Sequence, residues 1–526
     1  MHGLVGRRAR LVAETARVML VGAGRVTRRR LPPLSLATAA AVMLAAAVAS
    51  AVVLVTSTSA SALARDGAIA VFVAVAVWMF ASERYVVTLA VYLLYLGLLD
   101  GFLKLRTGSS FVTLGRDVLL YSLAAGAITR AVLRRRPLPA APPLLLGVLA
   151  WVALCLAQIF NPEAVSIAHA TASIRQHIEF VPLFFFGFFV LRSERRLAGL
   201  FALLAVVASI NGVVALLQEH LSPAELASWG AGYAREVYGT ATLSGRTFYV
   251  NGTEYIRPPA LGGDFGFGGL MGVIALPGTI ALLGYARRSR RIAAIAWLCG
   301  PFVILAVVTS QARLQVVCAV VAGIVFLALT VTSRRGATVL LATVVLGALA
   351  YTVSSTLLKG SGPNRYGSIA PSKVISTSVN YREATLALIP TYAVDYPLGA
   401  GMGSAGPAAN VGLGGSGAKP LDAESEFNFL EIELGVPGLL IMIVFVLAAI
   451  GLGLRLRRLR DPDLQRLLAA FTAVLIAFVV SWLDAPDTAA SPSSPFLWLA
   501  AGTLAYWYSM MRSGALPVRG RRLLRA

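Results

Sequence analysis

Charge is in short supply along this chain: 13% of the residues are Asp, Glu, Lys or Arg, against about 25% in an ordinary soluble domain. A water-soluble body with a charged surface is thereby excluded. Cysteine is scarcer still. The three that occur, Cys155, Cys299 and Cys318, lie inside apolar segments, so neither a disulfide framework nor a clustered metal site is indicated, and they read as packing residues. Acid is the rarer sign of charge, with 24 Asp and Glu against 46 Lys and Arg for a net charge of +22. In a soluble chain that excess would point to nucleic acid. Here the basic residues fall in short clusters between apolar stretches, the pattern of anchoring at an anionic cytoplasmic leaflet, and no nucleic acid partner is expected. No cleavable signal peptide is expected either, because the first long apolar run follows about 34 mostly polar and basic residues and is long enough to span, so it should stay as a membrane anchor.

What is present is hydrophobicity, 57% of the residues, arranged in long runs. A spanning helix needs about 20 apolar residues, because the hydrocarbon core is about 30 Å thick and each residue rises about 1.5 Å. Fourteen candidates begin near Ser35, Asp66, Tyr85, Phe111, Pro142, His177, Leu197, Phe265, Arg291, Leu314, Ala337, Gly435, Leu464 and Ser493. An open sheet would leave backbone groups unpaired in lipid. The fold expected is therefore all-α, a polytopic transmembrane helical bundle of about 12 to 14 spans.

With fourteen spans the arginine clusters at 28–30, 134–136, 192–196, 287–291, 334–335, 455–460 and 519–525 all fall on one side, which the positive-inside tendency makes cytoplasmic. The organisation expected is a cytoplasmic basic segment 1–34, a transmembrane domain 35–511 and a cytoplasmic basic tail 512–526, with both termini inside. Two long loops, about 219–264 and 356–432, then face outward, the larger partly helical. Loops of that length are commonly functional. The stretch Leu4 to Leu20 reads equally as an interfacial amphipathic helix or a basic tail.

Arginines on the outer side run against the positive-inside tendency and so carry information. Arg175 lies in Ser173-Ile174-Arg175-Gln176-His177-Ile178-Glu179, Arg257 in the Pro- and Gly-rich run to Asp264, Arg313 at the end of Thr309-Ser310-Gln311-Ala312-Arg313, and Arg382 in Asn380-Tyr381-Arg382-Glu383. A guanidinium fork matches phosphate oxygens better than an ammonium, although any one of these side chains could instead snorkel to headgroups or cap a helix. The larger loop ends Asp422-Ala423-Glu424-Ser425-Glu426-Phe427-Asn428. A helix starting near Glu424 would carry Asn428 and Glu431 on the same face. Such acids serve either as a general base or as decoration of a helix N-terminus. Gly401-Met402-Gly403-Ser404-Ala405-Gly406 matches a dinucleotide fingerprint in spelling, but no buried strand precedes it, and a tight turn explains the glycines better.

These features together resemble the bacterial O-antigen ligase and polysaccharide polymerase family of membrane glycosyltransferases, over roughly Ala170 to Ile450. The resemblance rests on Arg175 ahead of Phe184-Phe185-Phe186, on Arg257 to Gly268, on Thr309 to Arg313, and on a large loop with Arg382, Pro397-Leu398-Gly399-Ala400-Gly401-Met402-Gly403, Glu424-Ser425 and Glu433-Leu434-Gly435-Val436-Pro437-Gly438. It implies glycosyl transfer from a polyprenyl-diphosphate-linked glycan donor to a glycan or lipid-linked acceptor at the outer face of the bacterial plasma membrane. It further implies inversion at the sugar, no cofactor or metal, and possible polysaccharide export or chain-length partners. Ligases of the family usually carry histidine where this chain has Glu424, which favours polymerisation. The roles implied are Glu424 as catalytic base with Glu426 in reserve, Arg382 as catalytic, and Arg175, Arg257, Arg313 and His177 as substrate-binding. Competing readings are a flippase for lipid-linked oligosaccharide, which would bury charge at mid-membrane, a polyprenyl-phosphate-dependent transferase, for which the first outer loop offers only Arg65 and Asp66, and a structural scaffold.

Overall fold

A computed structural model describes residues 62–108, 111–134, 141–164, 166–239, 245–250, 253–331, 383, 385–406, 409, 421, 423–483 and 485–518. The expected spans near Ser35 and Ala337, the two terminal segments and Arg382 lie outside the described residues. The described chain is mostly helical, and helices stand at each of the other expected positions. In order they are α1 (Ala62–Ala81), α2 (Tyr85–Leu94), α3 (Gly101–Thr107), α4 (Phe111–Leu133), α5 (Leu145–Ala157), α6 (Ile167–Ile178), α7 (Pro182–Val190), α8 (Glu194–Glu219), α9 (Pro223–Ala227), α10 (Ala231–Tyr238), α11 (Phe267–Leu283), α12 (Arg290–Thr309), α13 (Arg313–Thr330), α14 (Ile389–Asp395), α15 (Glu426–Leu456), α16 (Pro462–Ser481) and α17 (Ser493–Arg512). Among the described residues, seven helical stretches are long and apolar enough to cross a membrane: Tyr85–Thr107, Glu194–Glu219, Phe267–Arg287, Arg290–Thr309, Arg313–Thr330, Glu426–Leu456 and Pro462–Ser481. Their outward faces and those of their neighbours carry Leu146, Trp297, Leu298, Val444 and Leu447 exposed, as a lipid-facing surface requires. The chain is a multi-pass membrane protein.

Three local features depart from the sequence expectation. The span expected near His177 is two helices, α6 and α7, of 12 and 9 residues. Pro182 at the first position of α7 has no N–H, so the backbone hydrogen bond that would carry α6 on into α7 cannot form there. Helix α15 begins at Glu426, because the Ser425 side chain caps it by accepting from Asn428 N at 3.1 Å. Glu424 therefore stands before the helix, not on the face shared by Asn428 and Glu431. Finally, the first long loop is not all-α. Strands β1 (Thr247–Val250) and β2 (Thr253–Ile256) pair antiparallel, Val250 opposite Thr253, with Asn251-Gly252 between them in the sequence, the pair that best suits a two-residue hairpin.

The helices pack on a continuous apolar core in which small residues allow close approach. A Cβ on Gly502 of α17 would overlap the Phe184 carbonyl of α7, and one on Gly187 would overlap the Leu499 carbonyl in return. At one end of the bundle, Arg288 reaches Asp461 at 3.1 Å, Asp463 at 3.2 Å and Glu194 at 3.8 Å, and Arg460 Nε donates to Val518 O at 3.1 Å. The arginine-rich connections before α8, α12 and α16 and the C-terminal end of the described chain thus meet at this basic end.

Candidate functional site

The opposite end is crossed by a seam of polar contacts. Gln311 of the α12–α13 turn donates to Glu219 at 2.6 Å, and Lys104 of α3 donates to Gly263 O at 3.3 Å. Arg116 of α4 bonds Asp100 at 3.4 Å and Glu179 at 2.9 Å. Gln176 of α6 donates to Ala489 O at 3.3 Å, and next to it Thr488 N donates to Glu426 at 2.9 Å. Arg175, Arg257 and Arg313 all belong to the segments along this seam.

Arg175 is half-buried on α6 and pairs with Asp117, while its Nη2 lies 3.7 Å from Glu179. Its neighbours form a buried ionic network. Arg116 sits between Asp100, Asp117 and Glu179 and over the face of Phe180, 5.3 Å from the ring centre. Tyr92 Oη, fully buried, and Asp100 Oδ1 have no hydrogen-bond partner among the described residues. Arg116-Asp117 in an apolar run is the only local hint of this network; Asp100 and Glu179 join it through tertiary contact.

Arg257 lies in the segment that leads into α11, and Arg313 opens α13, whose first turn packs on the start of α11. Arg257 follows β2 directly, and its N donates to Arg246 O at 3.3 Å. Beyond it Pro258, Pro259 and Ala260 are buried, and Gly262-Gly263 press so closely on Gly101 that a Cβ there would overlap them. Arg313 is the first residue of α13, after a turn in which Gln311 has φ 51°. The two segments abut, since a Cβ on Gly266 would lie 2.9 Å from Gln315 Nε2 and 3.9 Å from Ala312 Cβ.

His177 and Glu426, expected to meet substrate, are instead turned inward. His177 Nε2 donates to Glu433 Oε2 at 2.7 Å and its ring stacks on Phe429 at 5.1 Å. Glu433 also accepts from Ser173 Oγ and, at 3.0 Å, from Gly403 N. This fully buried carboxylate therefore fastens the glycine loop to α6. Gly399, Gly401, Gly403 and Gly406 all have positive φ, and Gln158 Nε2 holds the loop from α5 through Leu398 O at 2.6 Å. The GxGxxG spelling is thus a turn against the bundle. Glu426 is fully buried and accepts from both Thr488 N and Thr488 Oγ1, which spends its lone pairs inside the protein. Beside it Asp487 accepts from Ser481, and burial pushes its carboxyl up to about 6. Glu424 is exposed at the lip of this region, and Glu431 Oε2, one turn into α15, has no hydrogen-bond partner among the described residues.

On the loop side of the seam, Glu236 of α10 lies near Lys104, Arg246, Arg235 and Asp264, and burial raises its carboxyl. Gln218, Glu219 and Asp487 carry no local signal, being ordinary polar residues at span ends whose importance comes largely from their partners, and the sequence motif that contains Glu433 does not announce its contacts with His177 and Gly403. The chain matches no family model and no curated protein.

Proposed function

We propose that this protein is a membrane glycosyltransferase of the O-antigen ligase and polymerase type, acting on polyprenyl-diphosphate-linked oligosaccharide at the outer face of a bacterial plasma membrane. The observation that supports the reading is that Arg175, Arg257 and Arg313 all belong to segments at the end of the bundle remote from the basic connections. Guanidinium forks suit a diphosphate, and so does the N-terminus of α11, whose backbone N–H groups carry partial positive charge. In this reading an acceptor hydroxyl oxygen attacks the anomeric carbon as the bond to the diphosphate oxygen breaks. The electron pair leaves with the polyprenyl diphosphate, and Arg257, Arg313 and Arg382 neutralise the charge that grows there. Glu424, exposed where an acceptor arrives, takes the hydroxyl proton. Attack opposite the leaving group inverts the sugar. Arg175, held by Asp117 and Glu179, orients donor or acceptor.

One observation favours the second reading, a flippase: the Arg116 network puts five charged side chains inside the protein, as transport pathways do. One preparation separates the two. With purified protein in liposomes and lipid-linked repeat units, the transferase extends glycan chains, and Arg382→Ala and Glu424→Ala each lower the rate about a hundredfold or more. Wild-type rates in both variants reject these roles. Transbilayer movement of the lipid-linked repeat without any extension supports the flippase.

A further inference from the structure

Helix α8 ends in Gln218-Glu219, and the two side chains leave it for different turns. Gln218, fully buried, grips one residue twice: its Nε2 donates to Ala260 O at 3.0 Å and its Oε1 accepts from Ala260 N at 2.8 Å. Glu219 Oε1 accepts from Gln311 Nε2 at 2.6 Å. The residues gripped are conformationally unusual. Ala260 has φ 56° and Gln311 φ 51°, two of the three non-glycine residues with positive φ among the described residues. A left-handed backbone costs a residue with a Cβ about 1–2 kcal/mol, and it persists only where the surroundings impose it.

What the two turns carry gives the arrangement its meaning. Ala260 stands three positions after Arg257 and Gln311 two before Arg313. Asn211, two turns back on α8, adds a third hold by accepting from Leu261 N at 3.1 Å while donating to Gly97 O at 2.9 Å. One rigid helix end therefore sets the path of both arginine-bearing segments at once. Gln218 and Asn211 together hold the Ala260 turn against sliding, while Glu219 holds the Gln311 turn.

We infer that Gln218 and Glu219 are positioning residues, a bracket on α8 that holds the turns beside Arg257 and Arg313 and so sets where the two arginines meet the donor. This rests on the transferase reading above. Neither residue touches substrate; each acts through the turn it holds.

The test is the steady-state extension assay with polyprenyl-diphosphate-linked repeat units, on wild type, Glu219→Gln, Glu219→Leu, Gln311→Ala and Gln218→Leu, with apparent melting temperature recorded for each. Glu219→Gln keeps an acceptor oxygen and should keep the wild-type KM. Glu219→Leu, Gln311→Ala and Gln218→Leu should raise KM about tenfold, the cost of misplacing a binding group, and the Glu219→Leu/Gln311→Ala double variant should be no worse than either single one. Gln311→Ala removes only the far partner of Glu219, so it reports on the bracket even if a leucine variant fails to fold. An active wild type with unchanged KM in Gln311→Ala overturns the bracket and leaves the transferase standing. A wild type that extends nothing overturns the transferase reading, and the bracket with it.

Discussion

At the scale of single residues, burial decides what an acid can do. Asp487 lies in the connection between α16 and α17, where its carboxyl is enclosed and its titration raised to about 6 from an ordinary 3.8. A group whose folded pKa is raised stabilises the fold fully below its unfolded pKa and loses that contribution as pH climbs through the folded one. The apparent melting temperature of wild type relative to Asp487→Asn, which cannot ionise, should therefore fall as pH rises through about 6. A difference between the two that stays flat between pH 3.8 and about 6 would show that burial does not raise the Asp487 titration above its unfolded value. Residue chemistry is only partly legible in the linear chain. The types of Arg175, Arg257 and Arg313 and their place outside the basic clusters can be read directly, whereas their partners cannot. The inward turn of His177 depends on Glu433, 256 positions away, and no local pattern announces a contact of that range.

At the scale of elements, breaks matter more than helices. The apolar runs announce where helices are, because only helix satisfies the backbone in lipid. They do not announce the split of α6 from α7 or the start of α15 after Ser425, which turn on Pro182 and on a cap. The hairpin between α10 and α11 is written in Asn251-Gly252 and in the β-branched and aromatic residues around it, yet so short a strand signal is easily lost between long apolar spans. The close seating of the Gly262-Gly263 turn on α3 is likewise a matter of backbone contact. Gly101→Ala places a methyl where that turn sits, and the two segments must part. Amide exchange in residues 258–264 should accelerate in this variant while exchange in α16 stays unchanged. Unaltered protection there would mean that the turn is held from α8 alone.

At the scale of the whole molecule, the polar seam and the basic end divide the bundle into two chemically different faces. The same division is visible in the sequence as arginine clusters that fall in register with the span count, but the contacts that join Arg288 to Glu194, Asp461 and Asp463 belong to folding alone. If the basic end is cytoplasmic, a membrane-impermeant maleimide should label Ser222→Cys in intact cells and Ser513→Cys only after permeabilisation. Background is low because Cys155, Cys299 and Cys318 are buried. The opposite labelling pattern would invert the topology and remove the outer-leaflet reaction. The knot around Arg288 also sets an order of events at the ribosome. Glu194 and Arg288 are translated well before Asp461 and Asp463, so the early helices enter the bilayer with that cation only partly neutralised and wait for the late ones. Nascent chains halted ahead of α16 would carry Arg288 without two of the three carboxylates that neutralise it among the described residues.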